Sequence, residues 1–181
     1  YGRKKEGPGG DRVYECPTEL QGLPLKLFHL RRGPLLGSIL QHPDDIDTVR
    51  CLFLHAPFEA ARRLISPALL LCTYDQTGAI VFRQLPLESL ALQDNHVLFL
   101  DHHSDIMIWS GHATYGSDAD EARRDACMQA ARKICEDRFP VPRIHVMREG
   151  SSMARWLTCR LVPSHKDRVE DQRASFPQLD E

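Results

Sequence analysis

Long apolar runs, an excess of one charge and closely spaced cysteine pairs are all missing from this 181-residue sequence. No stretch approaches the roughly 20 apolar residues that a membrane-spanning helix needs. The 25 acidic and 23 basic residues nearly cancel, so we expect no overall attraction to nucleic acid or to an anionic membrane surface. With 42% hydrophobic and 27% charged residues, the composition is that of an ordinary globular domain.

No two cysteines have the Cys-x-x-Cys spacing of a zinc knuckle. Most of them lie inside apolar segments, where a thiol behaves as a small hydrophobe, so reduced core cysteines are favoured over disulfides. The six positions are Cys16, Cys51, Cys72, Cys127, Cys135 and Cys159.

The sequence opens on Tyr1 rather than on methionine, and glycine and proline follow where a signal peptide has an apolar stretch. We therefore expect the chain to be a piece of a larger polypeptide or of an incomplete gene model. Residues 1–17 are rich in glycine, proline and charge, which predicts a disordered lead-in.

Residues 18–66 have the pattern of a short, all-helical segment. Two short helices are predicted between Leu20 and Leu40, separated at Pro34 because an interior proline removes a backbone donor. Pro43 and Pro57 each predict the start of a further helix, since proline is favoured in the first turn.

From residue 67 onward the pattern changes to strands. Residues 68–74 and 79–82 flank a turn and predict a hairpin, and residues 96–100 and 105–109 predict a second strand pair. These runs are almost continuously apolar, which indicates that both faces of the sheet are buried.

A long helix over residues 118–138 follows, with an apolar stripe made mainly of alanine, so it is expected to pack closely on the sheet. Two last strands, at 144–147 and 155–162, are predicted around the turn at Gly150. Residues 164–181 are predicted to be a charged tail. The order of elements indicates an α/β domain over 67–163, preceded by the helical segment.

The strand that ends in Asp101, the strand that ends in Trp109-Ser-Gly111, the long helix and the closing Glu149-Gly150 turn together resemble a gelsolin-homology repeat. The resemblance implies a central mixed sheet of about five strands with the long helix packed on it. Such a gelsolin-like domain is the fold expected for residues 67–163.

One branch of that family fits best, because several short motifs match it in order from about Leu20 to Ser164. The chain resembles the C-terminal part of the GTPase-activating subunit of the COPII inner coat, which pairs with the Sar-type small GTPase. The motifs are 27–32 (LFHLRR), 43–45 (PDD), 138–143 (RFPVPR), 150–155 (GSSMAR) and 162–164 (VPS).

The resemblance implies that Arg155 is an arginine finger, supplied in trans to the partner GTPase, so that the chain has no catalytic centre of its own. Ser151 and Met153 stand where the family has glycine and glutamine, which marks the chain as divergent. The supporting turn before Arg155 consists of Gly150, Ser151, Ser152, Met153 and Ala154.

The resemblance also implies a role in transport from the endoplasmic reticulum to the Golgi, in the cytoplasm at endoplasmic-reticulum exit sites, with peripheral membrane association through the coat. Expected partners are the Sar-type GTPase, the cargo-adaptor subunit of the inner coat and proline-rich segments of the outer coat. No cofactor is expected in this chain, since the structural zinc belongs to an N-terminal region outside it. Candidate partner-binding residues are Phe139, Pro140, Pro142, Arg143, Arg31 and Arg32.

Three other interpretations stay open. The domain is a gelsolin-type interaction module for actin or a proline-rich partner, without GTPase activation. Alternatively, Asp101-His102-His103 resembles the signature of manganese phosphoesterases, although the upstream Pro43-Asp44-Asp45 is one residue out of step. A calcium site of the gelsolin type would use Glu121, but Asn95 stands where one ligand is needed.

Overall fold

The computed structural model describes residues 3–6, 12–15, 17–33, 35–36 and 42–163. The predicted charged tail, 164–181, lies outside the described residues. Strands β1 (Arg3–Glu6) and β2 (Arg12–Glu15) pair antiparallel. The predicted disordered lead-in is therefore wrong for these two strands. They are four residues long and mostly charged, so no alternating apolar pattern marked them in the sequence.

Three helices form the next segment: α1 (Leu23–Arg32), α2 (Pro43–His55) and α3 (Phe58–Ile65). The helices predicted at Pro43 and Pro57 are confirmed, and α1 is the first of the two predicted between Leu20 and Leu40. The second of those two falls mostly outside the described residues. Their common core consists of Leu35, Val49 and Leu64, with Leu30, Leu52, Phe53 and Ile65 packed against it.

A mixed sheet of five strands follows, as predicted, and its strand order is β4-β3-β5-β6-β7. The pairs from β4 to β6 are antiparallel, whereas β6 and β7 are parallel, with Asp105 opposite Arg143. The strands are β3 (Ala68–Tyr74), β4 (Ile80–Leu85), β5 (Val97–Asp101), β6 (Asp105–Ser110) and β7 (Arg143–Arg148).

The parallel pair requires a crossover between β6 and β7, which is the long helix α4 (Asp118–Asp137). Its buried Cys127 and Ala131 pack on one face of the sheet, against Phe99 and Ile108 among others. The opposite face is covered by a second core, in which Leu157 and Leu161 meet Trp109 and Met107. Both faces of the sheet are thus buried, as the continuous apolar runs predicted.

The strand predicted over residues 155–162 is wrong. The structure has a short helix there, α5 (Ala154–Thr158), followed by a turn and a single bridge from Val162 to Glu88. Leu157 of α5 and Leu161 of the turn that follows are both buried in the same core, and a spacing of four residues fits one face of a strand as well as one face of a helix, so the sequence pattern did not separate the two. Among the described residues, no helix is long and apolar enough to cross a membrane.

Gly111, in the Trp109-Ser-Gly motif, is required by a close approach of two backbone segments. A Cβ atom added there would lie 2.3 Å from the carbonyl oxygen of Asp94 and 2.6 Å from that of Gln93. The same approach allows the Gly111 amide to donate to the carbonyl of His96 at 2.9 Å. Any larger residue must push the end of β6 away from the 93–96 turn.

Replacing Gly111 with alanine is therefore expected to lower the free energy of unfolding by about 1–3 kcal/mol, as overpacking does elsewhere. Gly22→Ala is the control, because Gly22 has helical dihedral angles and nothing lies within 4 Å of its added Cβ. We expect that control to change stability by no more than about 0.5 kcal/mol. Urea unfolding followed by circular dichroism measures both, and equal stability of the two variants would contradict this account.

Candidate functional site

Arg155 is the second residue of α5, and its side chain is exposed. Among the residues that the structure describes, the guanidinium has no hydrogen-bond or ion-pair partner. The chain reaches α5 from β7 through the turn at Gly150, whose φ of +74° favours glycine. The amide of Ser151 closes that turn on the carbonyl of Arg148 at 3.1 Å. The predicted candidate is thus free to contact a partner.

The rest of the predicted supporting turn lies between Gly150 and α5. The Ala154 amide donates to the carbonyl of Ser151 at 3.0 Å, which leads the backbone into the helix. Met153 immediately precedes α5 and is 40% exposed. Ser152 is exposed as well, whereas the hydroxyl oxygen of Ser151 is buried.

A helix of five residues is not stable by itself, because the first hydrogen-bonded turn costs more entropy than it returns. Leu157 supplies the main attachment of α5, since it is fully buried in the core beside Trp109. Trp156 supplies another, because its ring stacks on the imidazole of His145 in β7, with 6.3 Å between ring centroids. The helix is therefore attached through its buried residue Leu157 and through its exposed residue Trp156.

Arg160, just beyond α5, is a buried arginine with only 4% of its surface exposed. Its Nη1 donates to the carbonyl oxygen of Trp156 at 2.5 Å, and its Nε donates to Nδ1 of His102 at 3.0 Å. Its Nη2 lies 3.8 Å from a carboxylate oxygen of Asp105. Burial lowers the pKa of Arg160, and the charge of Asp105 opposes that effect.

Asp105, at the start of β6, lies within 4 Å of three basic side chains. His145 Nε2 lies 3.0 Å from its Oδ1, Arg143 Nε lies 3.2 Å away and Arg160 is the third. Burial opposes ionisation of the carboxyl group, but these neighbours keep the pKa of Asp105 below its usual value. The predicted partner-binding residue Arg143 is thus already paired, although most of its side chain stays exposed.

Asp101, at the end of β5, forms a second ionic centre. Arg138 donates to both of its carboxylate oxygens, at 2.6 and 2.9 Å, and Arg63 of α3 lies 4.0 Å away. Burial opposes ionisation, but the hydrogen bond and charge of Arg138 keep the pKa of Asp101 below its usual value. This centre connects the helical segment to the sheet.

The arrangement does not support a manganese phosphoesterase. Asp101 is occupied by Arg138, and His102 accepts a hydrogen bond from Arg160. Within the described part of the chain, no group of three or more histidine, cysteine, aspartate or glutamate side chains is placed to hold a metal ion.

The remaining predicted residues lie on other surfaces. Phe139 is 86% exposed and, with Pro140, lines a groove of about 720 Å³ against α2 and the start of α3. Pro142 is buried. Arg31 and Arg32 are exposed at the end of α1, where Arg32 lies 4.6 Å from the centre of the Phe28 ring.

Comparison with known proteins places this geometry in a family. Residues 78–157 match the family model of the gelsolin repeat. Over 172 residues, or 93% of its length, the chain is 43% identical to the protein transport protein SEC23 A of Arabidopsis thaliana. The chain is a relative of SEC23. It spans about a fifth of that protein, since the matched part is 19% of its length.

The fold of this SEC23 relative also matches that of the human COPII-coat protein Sec24c, with a TM-score of 0.63 and 14% identity. The match covers 96% of this chain and 26% of Sec24c. The resemblance to the COPII inner coat, stated from the motifs, is thereby confirmed, as is the gelsolin-like fold. The role of Arg155 stays a prediction.

Sequence reasoning on this SEC23-related chain missed the residues that hold α5, namely Asp105, His145 and Arg160. One signal was available, because an aspartate at the start of an otherwise apolar strand needs a cationic partner when it is buried. The identity of the partners was not available, since His145 lies 40 positions away along the chain.

The hydrogen bond from Arg160 requires a neutral His102, which yields a testable pH dependence. Burial first, and then the charge of Arg160, lower the pKa of His102 to about 4 from the usual 6.5. Between these values the unfolded chain binds more protons, so stability falls as the pH drops from 6.5 towards 4. By pH 4.5 this loss is expected to reach about 2 kcal/mol.

The measurement is urea unfolding of the parent and of His102→Asn at several pH values from 7 to 4.5. Asparagine keeps an acceptor for Arg160 but does not titrate. The buried His29, His96 and His103 also have lowered pKa values and affect both proteins alike, so the difference between the two curves isolates His102. Parallel pH curves for the two proteins would refute the assignment.

Proposed function

We propose that this chain is part of a COPII vesicle coat subunit that activates a Sar-type small GTPase by supplying Arg155. The observation that carries the proposal is the exposed guanidinium of Arg155, which has no partner among the described residues and stands on a helix fixed to a buried core. The supporting similarity is that to SEC23 A, a protein transport protein, over nearly the whole chain.

The chemistry follows from the charge that develops during phosphoryl transfer. A guanidinium is planar, permanently charged and rich in donors, so it can contact two phosphoryl oxygens at once. An arginine supplied in trans raises the rate of GTP hydrolysis by about 10³ to 10⁵, which corresponds to about 4–7 kcal/mol of barrier. The nucleotide and its metal ion belong to the GTPase, and this chain holds no catalytic centre of its own.

The core beneath α5 makes this role physically reasonable. An arginine on a free loop would lose conformational freedom on binding, and that loss would offset part of the interaction. Leu157 and the stacked Trp156 restrict the backbone of α5 before any partner arrives. Only the Arg155 side chain then has to be ordered.

The proposal includes the setting that the coat implies. The site of action is the cytoplasmic face of endoplasmic-reticulum exit sites, and the structural zinc of such a subunit lies outside this chain. The other partners are the cargo-adaptor subunit and proline-rich segments of the outer coat. For those segments, the exposed Phe139 and Val141 offer an apolar surface.

Replacing Arg155 with alanine is expected to lower the stimulated rate of GTP hydrolysis by at least 10³. The measurement is phosphate release from the Sar-type GTPase, with SEC23 A in which this chain replaces the matching segment. Arg155→Lys is expected to recover less than a tenth of the lost rate, because lysine lacks the planar fork. Binding to the GTPase loaded with a non-hydrolysable nucleotide should be mostly retained.

The matched control is Arg132→Ala. Arg132 is an exposed arginine of α4, on the opposite side of the sheet from α5, so its loss should leave the rate unchanged. If the Arg155→Ala form stimulates hydrolysis as well as the parent, the arginine-finger role is rejected, and a pure interaction module becomes the better description.

A further inference from the structure

The orientation of α5 depends on more than its buried leucine. Leu157 and Ala154 pack on the core and the Trp156 ring stacks on His145, but these are all side-chain contacts, which leave the backbone of the short helix some freedom to tilt. Arg155 and Trp156 lie on the exposed side of the helix. A displacement of about 1 Å at the reacting groups is enough to cost 10²-fold in rate. The position of the finger therefore also depends on an attachment that holds the backbone itself.

Arg160 supplies this attachment through the backbone. Its Nη1 donates to the carbonyl oxygen of Trp156, the residue directly after Arg155, at 2.5 Å. Carbonyl groups at the end of a helix have no partner within the helix. This carbonyl also accepts from the Cys159 thiol at 3.2 Å, and the charged guanidinium supplies its stronger bond. The peptide unit between Trp156 and Leu157, one residue beyond the finger, is thus tied to a buried guanidinium.

The other end of Arg160 is anchored to the middle of the sheet. His102 Nδ1 accepts from Nε at 3.0 Å, and His102 belongs to the tight turn between β5 and β6, where its side chain is fully enclosed. Asp105, the first residue of β6 after this turn, lies 3.8 Å from Nη2. Because β5 and β6 are central strands buried on both faces, this anchor is rigid.

Asp105 also fixes the side chain of Trp156. His145 lies 3.0 Å from Asp105 and stacks on the indole ring at an interplanar angle of 14°. One carboxylate therefore holds the carbonyl of Trp156 through Arg160 and its ring through His145. Both attachments reach the residue next to Arg155.

We infer that Arg160 is a positioning residue for Arg155, with Asp105 and His145 as its supports. The inference rests on the proposed function, because it assigns to Arg160 an effect that acts only through the finger. Arg160 itself is buried and does not touch the nucleotide. Its substitution must then lower the rate of the chemical step while leaving the affinity for the GTPase nearly unchanged.

The test is a double-mutant cycle in the same SEC23 A chimaera, using Arg155→Ala, Arg160→Met and the combination. We expect Arg160→Met alone to lower kcat of the stimulated reaction by 10- to 100-fold, with less than a threefold change in the half-saturating concentration. In the Arg155→Ala background the same substitution should change kcat less than twofold. If Arg160 only stabilised the fold, Arg160→Met would lower kcat by the same factor in both backgrounds.

Arg123→Met is the matched control. Arg123 is also an ion-paired arginine with little exposure, joined to Asp120 and to the carbonyls of Cys72 and Asn95, but it lies on α4 across the sheet. Its loss should lower the melting temperature without lowering kcat. If Arg160→Met does not fold, His145→Ala removes the ring stack and one partner of Asp105 but leaves the bond from Arg160 to Trp156 in place. It should lower kcat about threefold or more in the parent and not in the Arg155→Ala background.

The outcomes separate the two hypotheses. Full activity of Arg160→Met together with a large loss in Arg155→Ala would overturn the positioning role and leave the proposed function intact. The positioning role would also be overturned if Arg160→Met lowered kcat by the same factor in the Arg155→Ala background as in the parent. Full activity of Arg155→Ala would overturn the proposed function, and the positioning role with it.

Discussion

The buried carboxylate of Asp105 is the constraint on which the candidate site depends. It joins the first residue of β6 to Arg143 and His145 of β7 and, through Arg160, to the end of α5. Buried ion pairs contribute little net stability, because desolvation offsets most of the attraction, but losing one partner is costly. The contribution of Asp105 is therefore mainly to geometry, since few other arrangements of these elements satisfy the charge.

The central part of the fold was readable from the sequence, and for a clear reason. Strands β3, β5 and β6 are short apolar runs that leave no polar face, and α4 combines alanine spacing with a firm proline stop. Helix α5 was not readable, because five residues are too few to show a period, and Leu157 and Leu161 fit a strand and a helix equally well. The pair β1 and β2 is mostly charged and lacked an alternating apolar pattern.

The candidate site also has a part that the sequence predicted and a part that it did not. Arg155 was found through a short motif, which is local in sequence and therefore visible. Its support was not visible, because it joins residues from a tight turn, a strand and the end of a helix that meet only in the folded chain. Asp101 was misleading for a related reason, since Asp101-His102-His103 suggests a metal site until Arg138 and Arg160 are seen to occupy it.

The sheet separates the two helices that follow it, with α4 on one face and α5 on the other. A protein seated over α5 leaves the outer side of α4 open to solvent, including Asp125, Gln129, Arg132 and Glu136. The domain is thus two-sided, and a contact on the α5 side does not by itself cover the exposed residues of α4.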